Sequence, residues 1–407
     1  MDTYIPRMLE HSVKKLMKFF PVTAIIGARQ CGKSSIAKNI CNMYNDYLYL
    51  DLEDENDLNK ITGNIRAKQF LSENMDKLIV IDEVQLRPEL FPTLRVLADQ
   101  IANTRDKNFD IYHPARFLIL GSASPMLLRQ SGETLAGRIT YVRLTTLLVT
   151  EIPDCDLKKY FIRGSFPVSY LASSDESSFV WRKSYMSAFL HRDLEKWGDL
   201  AEGTMERLWH MLVTVNGQET NHERALSSLK IPFKEAQNYF DTLKSLFLID
   251  SIPQFTKNPF ASICKTPKTY ITDHGLIANE FEIKSFDDLR RPTNAVTYGT
   301  MWEQIVLNHL RAWYPRPNGE NIFFYRDKDG NEIDFILTKN RMPFAIECKI
   351  SSNACMSSGT YAAMEKLGIP EEHAFIVTPF QSSEKSNTIT LPELHAKLEE
   401  ILNAPIE

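Results

Sequence analysis

Across residues 1–150, short runs of mostly apolar residues alternate with stretches of helical periodicity. The runs Thr23–Ile26, Tyr47–Leu50, Leu78–Ile81, Phe117–Leu120 and Ile139–Leu144 largely lack the polar alternation of a half-exposed strand. Strands apolar on both faces and separated by helices predict a parallel sheet covered on both sides. Residues 151–220 carry few strand signals and read as helical. Over 221–255 a helix, a turn at Lys230-Ile231-Pro232, a second helix across Phe233–Leu246 and short strands over Phe247–Ile252 suit a winged-helix unit. Residues 299–407 return to mixed α/β: a helix at 299–313, strands near 322–326, 332–337 and 343–348, another helix, and a strand at 374–378. The expected domain limits are 1–150, 151–220, 221–290 and 291–407, with no internal repeat.

Composition narrows the partners. The 407 residues hold 47 basic and 52 acidic side chains, a net charge of −5, which argues against coating nucleic acid or an anionic membrane by bulk electrostatics. Any nucleic-acid contact must then be local. No segment approaches the ~18 continuous apolar residues of a membrane span. Lys14, Lys15 and Lys18 before Phe19–Ala28 mimic a signal peptide, but the run ends at Arg29 without a small-residue cleavage site. Six cysteines are scattered without a CxxC pair, which predicts free thiols in a reducing, cytoplasmic setting and argues against structural zinc.

The first chemical signal is Gly27-Ala28-Arg29-Gln30-Cys31-Gly32-Lys33-Ser34, which fits G-x-x-x-x-G-K-[ST] at every position. Two glycines let the backbone N–H groups face phosphates, and the helix beginning near Lys33 and running through Ser35 adds its positive end. Lys33 is expected on the β- and γ-phosphates and Ser34 on Mg²⁺. Leu78–Ile81 ends in Asp82-Glu83, a carboxylate to direct the Mg²⁺ followed by an acid to orient the attacking water. Phe117–Leu120 leads to Gly121-Ser122, whose hydroxyl either touches the γ-phosphate or water, or caps the next helix. Arg138, just before the last core strand, is either a finger aimed at a neighbour's γ-phosphate or a surface ion pair. The acidic run Asp51–Asp57 reads as a solvated loop.

These residues resemble a prokaryotic AAA+ ATPase family. The likeness rests on Tyr4-Ile5-Pro6-Arg7, the phosphate loop, Asp82-Glu83-Val84-Gln85, Gly121-Ser122 and Leu135-Ala136-Gly137-Arg138. It continues through Arg163-Gly164-Ser165-Phe166-Pro167, His191-Arg192-Asp193-Leu194, Thr272-Asp273-His274-Gly275-Leu276 and Trp302-Glu303. The resemblance implies an AAA+ core with ATP as its nucleotide. Ser165 stands where the family usually has a second Gly, and Ser34 where Thr is commoner. Arg192 falls where such proteins carry a nucleotide-sensing lid arginine, or it pairs with Glu195 on a solvated helix face.

The second signal lies near the C-terminus. In Asn331–Leu337 and Pro343–Lys349, adjacent strands would set Asp334 beside Glu347, with Lys349 on the same face as Glu347. Two carboxylates suit Mg²⁺, Lys349 suits a water or a phosphate, and Glu303 would be a third acid. This E…D…ExK order resembles the PD-(D/E)xK nucleases; the plainer reading is a cross-strand ion-pair face. The second helix of the winged-helix segment is neutral, with only Gln237 and Asn238 as base readers, so an internal packing module stands beside DNA contact there.

The expected fold class is therefore α/β: a P-loop AAA+ parallel-sheet core, a helical and winged-helix middle, and a PD-(D/E)xK nuclease-like C-terminal domain. The expected function is ATP binding and hydrolysis coupled to a domain that acts on or binds DNA or RNA, using ATP and Mg²⁺, in a homo-oligomer without membrane contact. The alternative is a nucleotide-gated signalling or scaffold switch whose inactive nuclease-like domain binds a protein.

Overall fold

The structure is a computed structural model that describes residues 4–103, 116–122, 135, 137–190, 201–219, 229–256, 266–314, 322–339, 342–351, 354–380 and 388–403. Arg192 lies outside them. The chain divides into two compact units, Met1–Leu147 with Ser245–Phe247, and Leu148–Lys244 with Leu248–Glu407. The segments expected as separate lid, winged-helix and C-terminal domains thus pack as one unit. No helix among the described residues is long and apolar enough to cross a membrane.

The first unit runs α1 (Leu9–Phe19), β1 (Val22–Ile26), α2 (Lys33–Cys41), β2 (Tyr47–Asp51), α3 (Glu55–Lys60), α4 (Asn64–Ser72), β3 (Leu78–Asp82), α5 (Phe91–Asn103), β4 (Arg116–Gly121) and β5 (Ile139–Arg143). Its five strands are parallel in the order β2-β3-β4-β1-β5. Every residue of β1 and β3 is buried, because helices cover both faces. Leu9, Val13 and Met17 recur every four residues on α1 and face the core, so Lys14, Lys15 and Lys18 lie on the helix's more exposed side. The acidic run is not simply a solvated loop: Asp54 caps α3 by accepting from Asn56 N at 2.8 Å, and Asp57 accepts from Asp51 N at 3.0 Å.

The second unit contains α6 (Leu157–Arg163), α7 (Pro167–Tyr170), α8 (Asp175–Ala188), α9 (Glu202–Thr214), β6 (Gln218–Glu219), α10 (Phe233–Ser245, whose last residue belongs to the first unit), β7 (Ile249–Ile252), β8 (Lys268–Ile271), α11 (His274–Glu280) and α12 (Phe286–Leu289). It continues with α13 (Ala295–Trp313), β9 (Ile322–Arg326), β10 (Glu332–Lys339), β11 (Met342–Cys348), α14 (Ser358–Leu367), β12 (Ala374–Val377), β13 (Thr388–Ile389) and α15 (Leu391–Asn403). Strands β6, β8 and β7 form an antiparallel sheet in that order. The C-terminal sheet is β13-β12-β11-β10-β9, antiparallel from β9 to β11 and parallel from β11 to β13. Trp302 Nε1 donates to Val377 O at 2.9 Å, which pins α13 to β12. On the same helix, Gln304 and Asn308 both donate to Thr272 O, at 2.7 and 2.8 Å, which ties it to the end of β8.

Two sequence boxes about a hundred residues apart clasp each other in this unit. Gly164 has φ 74° and ψ −171°, a conformation in which only glycine is unstrained, and a Cβ there would fall 2.7 Å from Gly275 Cα. Asp273 is fully buried and accepts from Ser165 N (2.8 Å), Ser165 Oγ (2.6 Å) and Leu276 N (3.1 Å). The serine in place of a second glycine therefore adds a hydroxyl donor to the clasp.

Candidate functional site

In a parallel sheet the strand ends share an edge, and here the C-terminal edge collects the expected nucleotide residues. The register pairs Ile26 with Gly121 and Asp51 with Asp82, so the phosphate loop after β1, Asp82-Glu83 after β3 and Ser122 after β4 come together. Gly27 cannot be replaced, because a Cβ would lie 2.4 Å from Leu144 O. Lys33, buried at the start of α2, donates to the loop's own carbonyls, Gly27 O at 3.2 Å and Ala28 O at 3.0 Å.

Asp82 is held from three directions. Its Oδ2 accepts from Ser34 Oγ and from Tyr49 OH, each at 2.6 Å, and its Oδ1 accepts from Glu83 N at 2.9 Å. Burial, with Asp82 beside it, keeps the Tyr49 phenol protonated far above its ordinary range. Glu83 sits at φ 52° and ψ 43°, the left-handed region that disfavours glutamate. Its Oε2 accepts from Ser122 Oγ at 2.8 Å and from Gln85, whose Nε2 also donates to Ser122 Oγ at 2.8 Å. Strain at Glu83 is thus offset by a carboxylate fixed by two partners.

Tyr49, Gln85 and Arg7 were not singled out as site residues by sequence reasoning. Arg7 is buried and donates to Cys31 O (3.1 Å), Thr145 O (2.8 Å) and Thr146 O (2.9 Å), joining the phosphate loop to the segment after β5. Arg29, by contrast, is half exposed and pairs with Glu53 at 3.1 Å. The structure does not bring Arg138 to its own phosphate loop. Arg138 O accepts from Val22 N at 3.1 Å, at the start of β1, and its side chain pairs with Asp99. The five residues of β1 put about 16 Å between that edge and the loop.

The second unit brings Asp334, Glu347, Lys349 and Glu303 to one cavity of about 490 Å³, which Lys268 and Glu332 also line. The antiparallel register pairs Phe335 with Ile346, which sets Asp334 opposite Glu347. On the other side of β10 the register to β9 shifts between Ile333 and Ile336, an irregularity of the kind that re-aims a side chain at Asp334. Asp334 Oδ2 accepts from Cys348 N at 2.8 Å, and Lys349 Nζ bonds Glu347 Oε1 at 2.6 Å. Glu347 Oε2 is buried without a hydrogen-bond partner.

Lys268 is a component the sequence did not flag. Its side chain is only 4% exposed, and its Nζ lies 2.5 Å from Glu332 Oε1 and 3.9 Å from Glu303 Oε2. Tyr270, two residues along β8 and hence on the same face, donates to Glu303 Oε2 at 2.9 Å. Burial, and then the neighbouring Asp334, push the Glu303 carboxyl up to about 8 and that of Glu347 up to about 7. Burial raises Asp334 as well. Among the described residues no three of His, Cys, Asp and Glu form a group that could hold a metal. Glu303, Asp334 and Glu347, the expected ligand set, all line the cavity, where Glu303 is also engaged by Tyr270 and Lys268. The hard carboxylate oxygens of Asp334 and Glu347, among them the unpartnered Glu347 Oε2, suit Mg²⁺.

An AAA domain profile matches residues 20–153. A Domain of unknown function (DUF8612) matches 155–287, and a Domain of unknown function (DUF4143) matches 298–394. Two uncharacterized mycobacterial proteins, Rv2008c of Mycobacterium tuberculosis and Mb2031c of Mycobacterium bovis, are each 31% identical over 364 residues, covering 87% of this chain and 78% of theirs. The chain belongs to their family. Its first unit carries an AAA-type P-loop ATPase domain, and its parallel sheet matches that α/β fold. Among solved structures, the Walker-type ATPase PABY2304 of Pyrococcus abyssi is similar at 13% identity and a TM-score of 0.44, covering 68% of this chain and 96% of that one. Within this family's layout, Lys268 and Tyr270 fall in the 155–287 match and the acids they meet in the 298–394 match.

Proposed function

We propose that the protein binds and hydrolyses Mg²⁺-ATP at the phosphate loop and uses the cycle to control a nuclease-like C-terminal domain that acts on nucleic acid. The observation that carries the first half is the hydrogen-bonded series Ser34–Asp82–Glu83–Ser122, which joins loops from three neighbouring strands. The loop amides from Gly27 to Ser35 and Lys33 would bind the phosphates. Ser34 and Asp82, already 2.6 Å apart, would hold Mg²⁺, which when bound neutralises charge on the phosphates. Glu83 would orient and deprotonate the attacking water, with Ser122 and Gln85 fixing its carboxylate. Arg138, remote from its own loop, would act only on a neighbouring copy's nucleotide, and Arg192 is the candidate lid sensor.

For the second half, the support is the α13-β9-β10-β11-α14-β12 order, with Asp334, Glu347 and Lys349 converging on one cavity. Asp334 and Glu347 would hold Mg²⁺ there and Lys349 would steady a phosphate. The order α9, β6, α10, β7, β8 with its three-stranded antiparallel sheet supports a winged-helix reading of the middle module. Gln237, however, donates to Asp241 on its own helix at 3.0 Å, which favours packing over base reading.

A specific observation favours a second reading. Lys268 neutralises Glu332 and Glu303, as expected of a silent nuclease-like domain in a nucleotide-gated switch that binds a protein partner. One experiment separates the two: Mg²⁺ with single- or double-stranded DNA or RNA, with and without ATP, comparing wild type, Glu83→Gln and Glu347→Ala. Cleavage lost in Glu347→Ala, with ATP bound but not turned over in Glu83→Gln, supports the proposal. Turnover surviving in Glu83→Gln refutes the assigned base, and absence of cleavage under every condition favours the switch.

A further inference from the structure

The acid cavity has walls from two family-defined segments. The C-terminal sheet and α13 supply Glu303, Glu332, Asp334, Glu347 and Lys349, while β6 and β8 of the middle module supply Gln218, Glu219 and Lys268. Five carboxylates line this cavity, two of them buried, and they repel unless a cation or protons offset them. Lys349 is occupied with Glu347. The half-exposed Arg326 lies 3.9 Å from both Glu219 and Glu332, and the buried Lys268 ammonium reaches Glu332 and Glu303 from the neighbouring module. Tyr270 adds a neutral donor to Glu303 from the same strand. Lys268 thus makes its cation–carboxylate contacts across the seam between modules, and its ammonium stands where excess negative charge would otherwise attract a divalent ion.

We infer that Lys268 is a tethered counter-ion that keeps strand β8 over the acid cavity, and that a divalent cation enters only by displacing it. This inference rests on reading Asp334 and Glu347 as metal-binding carboxylates. Its physical basis is competition for one field: an ammonium within 4 Å of Glu332 and Glu303, in the same cavity, lowers the negative potential available to a second cation. Lys268 therefore acts as an autoinhibitory contact, and withdrawal of β8 is the event that opens the site. The lysine is suited to the task because its compact charge rides on a flexible stem and can swing away from the acids as the strand withdraws.

The test uses the full-length protein without nucleotide and Mn²⁺ as the probe. Binding is measured by electron paramagnetic resonance of free Mn²⁺ for wild type, Lys268→Met, Lys268→Arg and Lys268→Met/Glu347→Gln. The inference expects Lys268→Met to bind Mn²⁺ about tenfold more tightly than wild type. It also expects Lys268→Arg to remain as weak as wild type, and the double variant to lose the gain. Equal affinity in wild type and Lys268→Met, abolished by Glu347→Gln, overturns the counter-ion role while the carboxylate site stands. No cleft-dependent Mn²⁺ binding in any variant overturns both. Wild type supplies a check that needs no altered fold: saturating Mn²⁺ should speed deuterium uptake across Lys268–Ile271, and unchanged uptake with Mn²⁺ bound refutes displacement.

Discussion

Replacing Gly164 with alanine tests the clasp that joins α6 to α11. The backbone there, φ 74° and ψ −171°, costs a residue bearing a Cβ about 1–3 kcal/mol. The new methyl would lie 2.5 Å from Asp273 Oδ1, 2.7 Å from Gly275 Cα and 2.9 Å from Gly275 N. Two of those atoms are backbone, and Asp273 cannot swing aside without releasing Ser165 and the Leu276 amide. Overpacking of that kind adds about 1–3 kcal/mol, so the total is roughly 2–6 kcal/mol. That is a large share of the roughly 5–15 kcal/mol that hold an ordinary domain together. All five tryptophans, at 181, 197, 209, 302 and 313, fall outside the sequence limits of the first unit, so intrinsic fluorescence reads the second unit's unfolding. Urea titration should show a clearly lower midpoint for Gly164→Ala with a similar slope. Gly275→Ala should do the same, since its Cβ would fall 2.6 Å from Gly164 Cα. A loss below about 1 kcal/mol would mean that the two glycine backbones do not pack this closely.

Ser122→Ala removes the hydroxyl that donates to Glu83 Oε2, so kcat for ATP should fall about tenfold with ATP affinity unchanged. A raised KM with kcat intact would instead make Ser122 a phosphate contact. Arg7→Met strips three buried carbonyls of a charged donor, at about 1.5–3 kcal/mol for such a bond, and should weaken binding of a fluorescent ATP analogue by loosening the phosphate loop. His309 is held neutral, Nδ1–H donating to Ile305 O (2.8 Å) and Nε2 accepting from Val149 N (3.0 Å), and burial pushes its pKa down to about 3. A depressed histidine contributes stability that is fully present above its unfolded value near 6.5 and lost as pH falls toward 3. Tryptophan-monitored melting should decline over that window, and His309→Gln should flatten the decline.

The parts of this protein legible in sequence are those whose partners are close along the chain. Gly27–Ser34 is contiguous, and Leu78–Glu83 joins a buried strand to its terminal acids, so period and composition suffice. Ile333–Leu337 and Phe344–Lys349 reveal a face because alternation fixes which side chains share it. Tyr49 was missed, and Gln85 and Arg7, though part of the quoted boxes, were given no role, because those roles depend on strand order or on a turn, which no local pattern encodes. Lys268 was missed for the same reason, since its acids lie 35 residues or more downstream. Its one local signal was a lysine two positions before a buried tyrosine in an otherwise buried strand. The acidic run at 51–57 was misread because composition shows charge, whereas the Asp54 cap depends on backbone angles. Arg138 keeps both its readings: the register puts it at the strand starts, paired with Asp99 and away from its own loop.

Lys33 rests on Gly27 O and Ala28 O, and this alters what nucleotide binding consists of. The ammonium is not waiting in solvent: for a phosphate to take it, two hydrogen bonds must be given up as others form, so binding is an exchange. An exchange of that kind penalises weak acceptors most, because a ligand must offer more than two neutral carbonyls do before the lysine moves. A polyphosphate, which presents several anionic oxygens along the loop at once, meets that threshold more readily than a lone orthophosphate. The loop's own backbone thus serves as an internal competitor that sets a floor on ligand charge.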